Sequence, residues 1–171
     1  MITKRNKSLA STFSASCLAI GLAFSAHAIA LSLDAEKENE EKGKALFATC
    51  NSCHEQALNP PKAPPMWAIQ RRYQKQTANK KEFIQRVVEF VKAPSEEQAI
   101  FKGAIQHLGL MPALPLPDNQ LKAVANYLYE TDFPPPCDHW KHATERYQQR
   151  GDNNQAQRHR KKWQRFCQDK K

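Results

Sequence analysis

Apolar residues recur along the middle of the chain with the period of a helix rather than a strand. Phe83, Ile84, Val87, Val88 and Val91 fall at i, i+1, i+4, i+5 and i+8 within 80–93, the stripe of an amphipathic helix that Pro94 ends. Leu121, Val124, Ala125 and Leu128 form a second stripe, behind a capping Asp118 and ahead of the turn before Pro134-Pro135-Pro136. Between them, Ser95 and Gln98 have capping-box spacing and predict a short helix through Ala99, Ile100 and Ile105, closed by Gly109. Upstream, 34–49 reads as a charged helix whose apolar residues are Leu46 and Phe47. Gly43 interrupts it at a cost of roughly 1 kcal/mol relative to alanine, which implies a packing reason such as the close approach of another helix.

Two stretches resist helix formation. The segment 57–65 is rich in proline and reads as a loop, and Met111 to Pro117 carries three prolines, at 112, 115 and 117, and must be extended. No segment alternates as a strand and no repeat is visible, so the predicted fold class is all-α.

The N-terminus adds a compartment. Lys4, Arg5 and Lys7 precede a mostly apolar run from Leu9 to Phe24 that ends at Ala26-His27-Ala28, a small-residue A-x-A pattern. This predicts a cleaved signal peptide over residues 1–30, with cleavage after Ala28 or after Ala30, since Ala28-Ile29-Ala30 is a second frame. The run is short for a membrane span, and an uncleaved anchor is the competing reading. Cys17 lacks a leucine three residues before it and is followed by apolar residues 18–24, so it belongs to the discarded segment rather than to a lipid anchor.

A length of 171 residues suits one domain with extensions, here a domain over 31–136 and a tail over 137–171. The formal charge of +9 is uneven. Residues 31–136 carry thirteen Lys and Arg against thirteen Asp and Glu, whereas 137–171 carry ten against four. The basicity of the mature chain therefore resides in the tail, where an acidic partner would dock.

Within that tail, 138–150 and 155–168 read as helices joined by Gly151-Asp152-Asn153-Asn154, a turn-forming sequence. Antiparallel packing of two helices of similar length brings Cys137 and Cys167 together, and an exported chain meets conditions in which disulfides persist. A Cys137–Cys167 disulfide is expected. Closing a loop of this size contributes roughly 3 to 4 kcal/mol in the chain-entropy model. Trp67, Trp140 and Trp163 read as packing residues, and His139, His142 and His159 as exposed ones. Arg158, Arg160, Lys161, Lys162 and Arg165 form a basic cluster that reads first as a solvated face and otherwise as open to an acidic protein or anionic lipid, while export argues against nucleic acid.

Specific chemistry enters with Cys50-Asn51-Ser52-Cys53-His54, the C-x-x-C-H pattern of a c-type haem attachment site. Two thiols can add to the haem vinyl groups, and the adjacent histidine can ligate the iron. A thioredoxin-like pair would require a βαβ context and a zinc site a second ligand pair, and the sequence offers neither.

The run Gly43-Lys44-Ala45-Leu46-Phe47-Ala48-Thr49 and the motif after it resemble the first helix and haem site of class I cytochromes c. Leu110-Met111-Pro112 resembles the loop that supplies their methionine ligand, and the resemblance extends over about 36–131. It implies a cytochrome c fold, with N- and C-terminal helices crossing and short middle helices around one haem, to which the helical hairpin is appended. It places Gly43 and Phe47 against the terminal helix near Tyr127 and Leu128. Ala63-Pro64-Pro65-Met66 resembles the G-P-x-L element whose proline carbonyl orients the ligating histidine, which maps onto Pro64, although alanine stands where the family has glycine.

For the iron, His54 is the expected proximal ligand, and Met111, Met66 and His107 are the candidates opposite it. Met111 occupies the position at which the family places its ligand, Met66 suits packing against the haem, and His107 lies four residues from Met111. The expected function is that of a periplasmic monohaem electron carrier with one covalent haem c, a redox protein partner and no catalytic residue. The alternative is a haem subunit of a larger redox complex or a gas- or redox-sensing haem protein, docked through the basic tail on a complex or a membrane surface.

Overall fold

The coordinates are a computed structural model that describes residues 37–168. The expected signal peptide, with Cys17, lies outside the described residues. Every regular element among the described residues is a helix. Helix α1 covers 37–54, followed by α2 (Met66–Gln76), α3 (Lys80–Lys92), α4 (Lys102–Leu108), α5 (Asp118–Glu130), α6 (Cys137–Gln149) and α7 (Asn153–Cys167).

The core is centred on α3 and α5. Asn79 caps α3 by accepting a hydrogen bond from the Glu82 amide at 3.0 Å, and the helix buries Phe83, Val87 and Val88. These meet Leu121, Ala125 and Leu128 of α5 in one apolar cluster that also takes in Phe47, Met66 and Tyr73. Phe83 is fully buried, with Tyr73 and Tyr129 edge-on at ring separations of 5.7 and 5.0 Å. Truncating such a residue to alanine typically costs about 3–5 kcal/mol. Lys80–Glu130 and Lys92–Asp118 ion pairs join opposite ends of the antiparallel helices, but both are exposed, so solvent screening leaves them little weight in stability.

The structure departs from the sequence reading at two helix starts. Asp118 is the first residue of α5 and not its cap, a position held by Pro117; its carboxylate accepts instead from Lys92 Nζ at 2.7 Å. The Lys92 hydrogen bond also holds the Asp118 carboxyl below its ordinary pKa, and the anion still suits the positive end of the helix dipole. Ser95 Oγ does accept from the Gln98 amide, at 3.3 Å, but this closes only a turn, and α4 begins at Lys102. Ala99 is buried, Ile100 packs on the core and Phe101 lies beneath the Arg72 guanidinium, so three consecutive side chains find partners that one helical stripe could not give them.

Helix α2 was not anticipated. It buries Met66, Gln70 and Tyr73, and Gln70 Nε2 donates to the carbonyls of Leu128, Tyr129 and Thr131 at 2.7, 3.1 and 2.7 Å. Carbonyls at the end of a helix have no partner within it, so a buried amide reaching across from α2 both satisfies them and fixes where α5 stops.

Helix α1 meets α5 at Gly43. A Cβ there would lie 2.9 Å from the Ala123 carbonyl carbon and 3.1 Å from Tyr127 Cβ, so only glycine permits this approach. One turn on, Phe47 is buried with its ring 5.1 Å from Tyr127 and 5.4 Å from Phe133.

Helices α6 and α7 form the hairpin. Gly151 turns it at a φ of 76°, and Asp152 caps α7 by accepting from the Gln155 amide at 3.0 Å. Cys137 and Cys167 are joined by a disulfide with their Cα atoms 5.9 Å apart. The sequence reads this tail as a separate unit, yet it leans on α2: Trp67 stands edge-on to Trp140 at 5.4 Å and to Phe166 at 5.3 Å. The three histidines read as exposed are partly covered. His139 and His159 face each other at 6.2 Å inside the hairpin and Tyr147 stacks on His159, because both histidines fall on the inner faces of their helices.

Candidate functional site

Helix α1 continues through the C-x-x-C-H motif. The Glu55 amide closes its last turn on the Asn51 carbonyl at 3.1 Å, and Ser52 Oγ donates to the Thr49 carbonyl at 2.8 Å. Pro60 and Pro61 prevent further helix. Cys50, Cys53 and His54 therefore stand at i, i+3 and i+4, on one helix face. Both thiols are free, Cys53 exposed and Cys50 half-buried, and burial pushes the Cys50 thiol up from its ordinary pKa.

The histidine is oriented from outside its helix. His54 Nδ1 lies 2.6 Å from the carbonyl oxygen of Pro64. A carbonyl oxygen only accepts, so Nδ1 carries the proton and donates it, which leaves the lone pair on Nε2. Burial pushes the pKa of His54 below its ordinary value, while the Pro64 carbonyl pulls the other way. A neutral imidazole with one nitrogen hydrogen-bonded and the other free is the usual form of a metal-ligating histidine.

Met111 stands elsewhere, half-buried at the start of an extended segment without regular structure. That segment is pinned to the end of α3 by the Leu114 amide, which donates to the Val91 carbonyl at 3.0 Å. Leu108 and Leu110, which flank the Gly109 turn beside Met111, are large apolar side chains left exposed at 36% and 39%. The other candidates for the position opposite His54 have different surroundings. Met66 is 7% exposed within the apolar core, and His107 lies exposed on α4.

The donor set fits a covalently held haem. Two free thiols one helical turn apart can form the thioether links, and the free Nε2 of His54 can reach the iron. Among the described residues there is no strand for a thioredoxin-like site and no cluster of three or more His, Cys, Asp or Glu side chains for a zinc site. The hollow of about 750 Å³ lined by Ile84, Val88, Lys92 and Asp118 shares no residue with the haem-binding set.

Several positioning residues escaped the sequence reading. Gln70 went unnoticed because a polar residue broke the stripe of Met66, Ile69 and Tyr73, whose i, i+3, i+7 spacing was the available signal for α2. Asn59 and Arg146 are hydrogen-bonded across 87 residues of sequence, with no local signal to find them.

Comparison with curated proteins and with solved structures gave no significant match. A profile of the family described as Cytochrome c matches residues 40–132, which takes in α1 to α5, the C-x-x-C-H motif, Pro64 and Met111. Proteins of this family generally carry electrons, and they bind haem c covalently. The chain belongs to the cytochrome c family and has the all-helical cytochrome c fold with covalent haem c as its cofactor.

Proposed function

We propose that the protein is a periplasmic monohaem carrier that passes single electrons between redox partners. In this reading Cys50 and Cys53 would tether the macrocycle, and His54 and Met111 would ligate its iron. The observation that carries it is the 2.6 Å contact from His54 Nδ1 to Pro64, which presents Nε2 for ligation.

When bound, the haem supplies reversible one-electron chemistry between Fe(III) and Fe(II). The Pro64 carbonyl fixes the imidazole ring and raises its basicity through the donated proton. The Met111 thioether, a weak donor, favours the reduced state relative to a second histidine. With the iron ligated by two side chains, no substrate would need to enter, and no residue is given a catalytic role. Residues 1–30 direct export. Replacing Met111 by alanine is expected to abolish the methionine signature of the haem spectrum; its persistence in Met111→Ala would remove Met111 from the assignment.

A second reading is supported by α7. Its cations Arg158, Arg160, Lys161, Lys162 and Arg165 share the helix with no Asp or Glu, and among the described residues none is ion-paired. Arg158, Lys161, Lys162 and Arg165 follow i, i+3, i+4, i+7 spacing, a single charged stripe. Such a stripe suits a haem subunit docked through its tail on an acidic protein. Charge reversal at Lys161 and Lys162 should then weaken capture of the redox partner, most strongly at low salt. Capture indifferent to both changes would dismiss it.

A further inference from the structure

The loop that carries Pro64 does not hold itself in place. Between residues 59 and 65 four of the seven residues are proline, and none of the remaining amides donates a backbone hydrogen bond. Its fixed points come from the C-terminal hairpin and the strap leading to it. Arg146 of α6 donates to Asn59 Oδ1 at the loop's start, and Gln56 Nε2 donates to the Pro134 carbonyl at 3.2 Å just ahead of it. At the loop's end Trp67 is wedged against Trp140 and Phe166, and Trp140 is only 4% exposed. Pro136, at the N-cap position of α6, is fully buried.

We propose that the hairpin braces the proximal loop of the haem site, with Arg146 and Trp140 as positioning residues that keep the Pro64 carbonyl on His54. This rests on the reading of His54 as the iron ligand. The chain of contacts runs from Arg146 and Trp140 to Asn59 and Trp67, then through the loop to Pro64 and His54 Nδ1. The basic extension thereby has a role in tuning the iron as well as in docking. A carbonyl accepting from Nδ1 makes the imidazole more electron-rich, which favours the oxidised state. Loosening the brace weakens that contact and raises the reduction potential.

The sign separates this effect from simple charge loss. Removing a cation near the iron destabilises the added electron and lowers the potential, whereas releasing Pro64 raises it. Asn59→Ala removes the loop's anchor with no change of charge, and Arg150→Ala removes a cation one turn from Arg146 without touching the loop.

Redox titration of the full-length holoprotein tests the proposal. Asn59→Ala is expected to shift the Fe(III)/Fe(II) equilibrium toward the reduced form by about threefold, or ~28 mV at 59 mV per tenfold, and Arg146→Ala in the same direction by less, because it also removes a cation. The double variant should shift little further than either single, and Arg146→Lys should restore part of the effect. Arg150→Ala should give no rise. Trp140→Phe, which retains an aromatic ring, should fall between wild type and Asn59→Ala. An unchanged potential in Asn59→Ala, or shifts that simply add, overturns the brace while leaving the carrier assignment intact. Absence of covalent haem from the wild-type protein would instead overturn the carrier assignment itself.

Discussion

A single proton, held on Nδ1 of His54 by the Pro64 carbonyl, decides which imidazole nitrogen is free to meet a metal. His54 was legible as a candidate because it adjoins the two cysteines in sequence. The Pro64 contact was not legible from spacing and came from resemblance, since the nine intervening residues form an irregular loop. Gly43 was legible as an anomaly, a glycine inside a charged helix, but its cause required the position of Ala123 on α5. Alanine at this position gains roughly 1 kcal/mol of helix propensity, while forcing the helices apart typically costs about 1–3 kcal/mol. Gly43→Ala is therefore expected to destabilise the holoprotein in denaturant unfolding. A gain near 1 kcal/mol would mean that the two helices move apart at no cost.

At the scale of elements, α3 and α5 were readable because each buries an unbroken stripe and ends at a clear stop signal. Helix α2 was not, since Gln70 interrupts its stripe in order to serve the carbonyls of α5. Local sequence cannot reveal an acceptor 58 residues away. The hairpin was readable from its turn and its cysteines, whereas the burial of its histidines was missed even though Ala156, His159, Trp163 and Phe166 share one helical face. Burial, with Arg146, Lys162 and His142 nearby, lowers the pKa of His139 to about 4; burial, with Lys162, His139 and Arg146, does the same for His159. In the unfolded chain both would titrate near 6.5. The folded hairpin thus binds fewer protons than the unfolded chain between these limits. Its stability should be unaffected by these groups above about pH 6.5 and fall as the pH drops from there toward 4. Thermal unfolding followed by circular dichroism from pH 7.5 to 5 should show a falling midpoint, and His159→Gln should flatten the slope. An identical slope in that variant would contradict the burial of His159.

For the molecule as a whole, the division of charge is the main organising feature. The residues that surround the haem motif are balanced, and the basic excess beyond residue 30 sits on a disulfide-closed hairpin docked on α2 through Trp67, Trp140 and Phe166. The sequence revealed the charge asymmetry and the hairpin but not the docking, because aromatic contacts between residues 67 and 166 leave no local pattern. On the proposed ligation, His54 and Met111 together close the iron to external ligands. Exposing the reduced full-length protein to carbon monoxide tests it most directly. No change is expected in the wild-type spectrum, and ready binding by Met111→Ala; ready binding by the wild type would overturn the ligation.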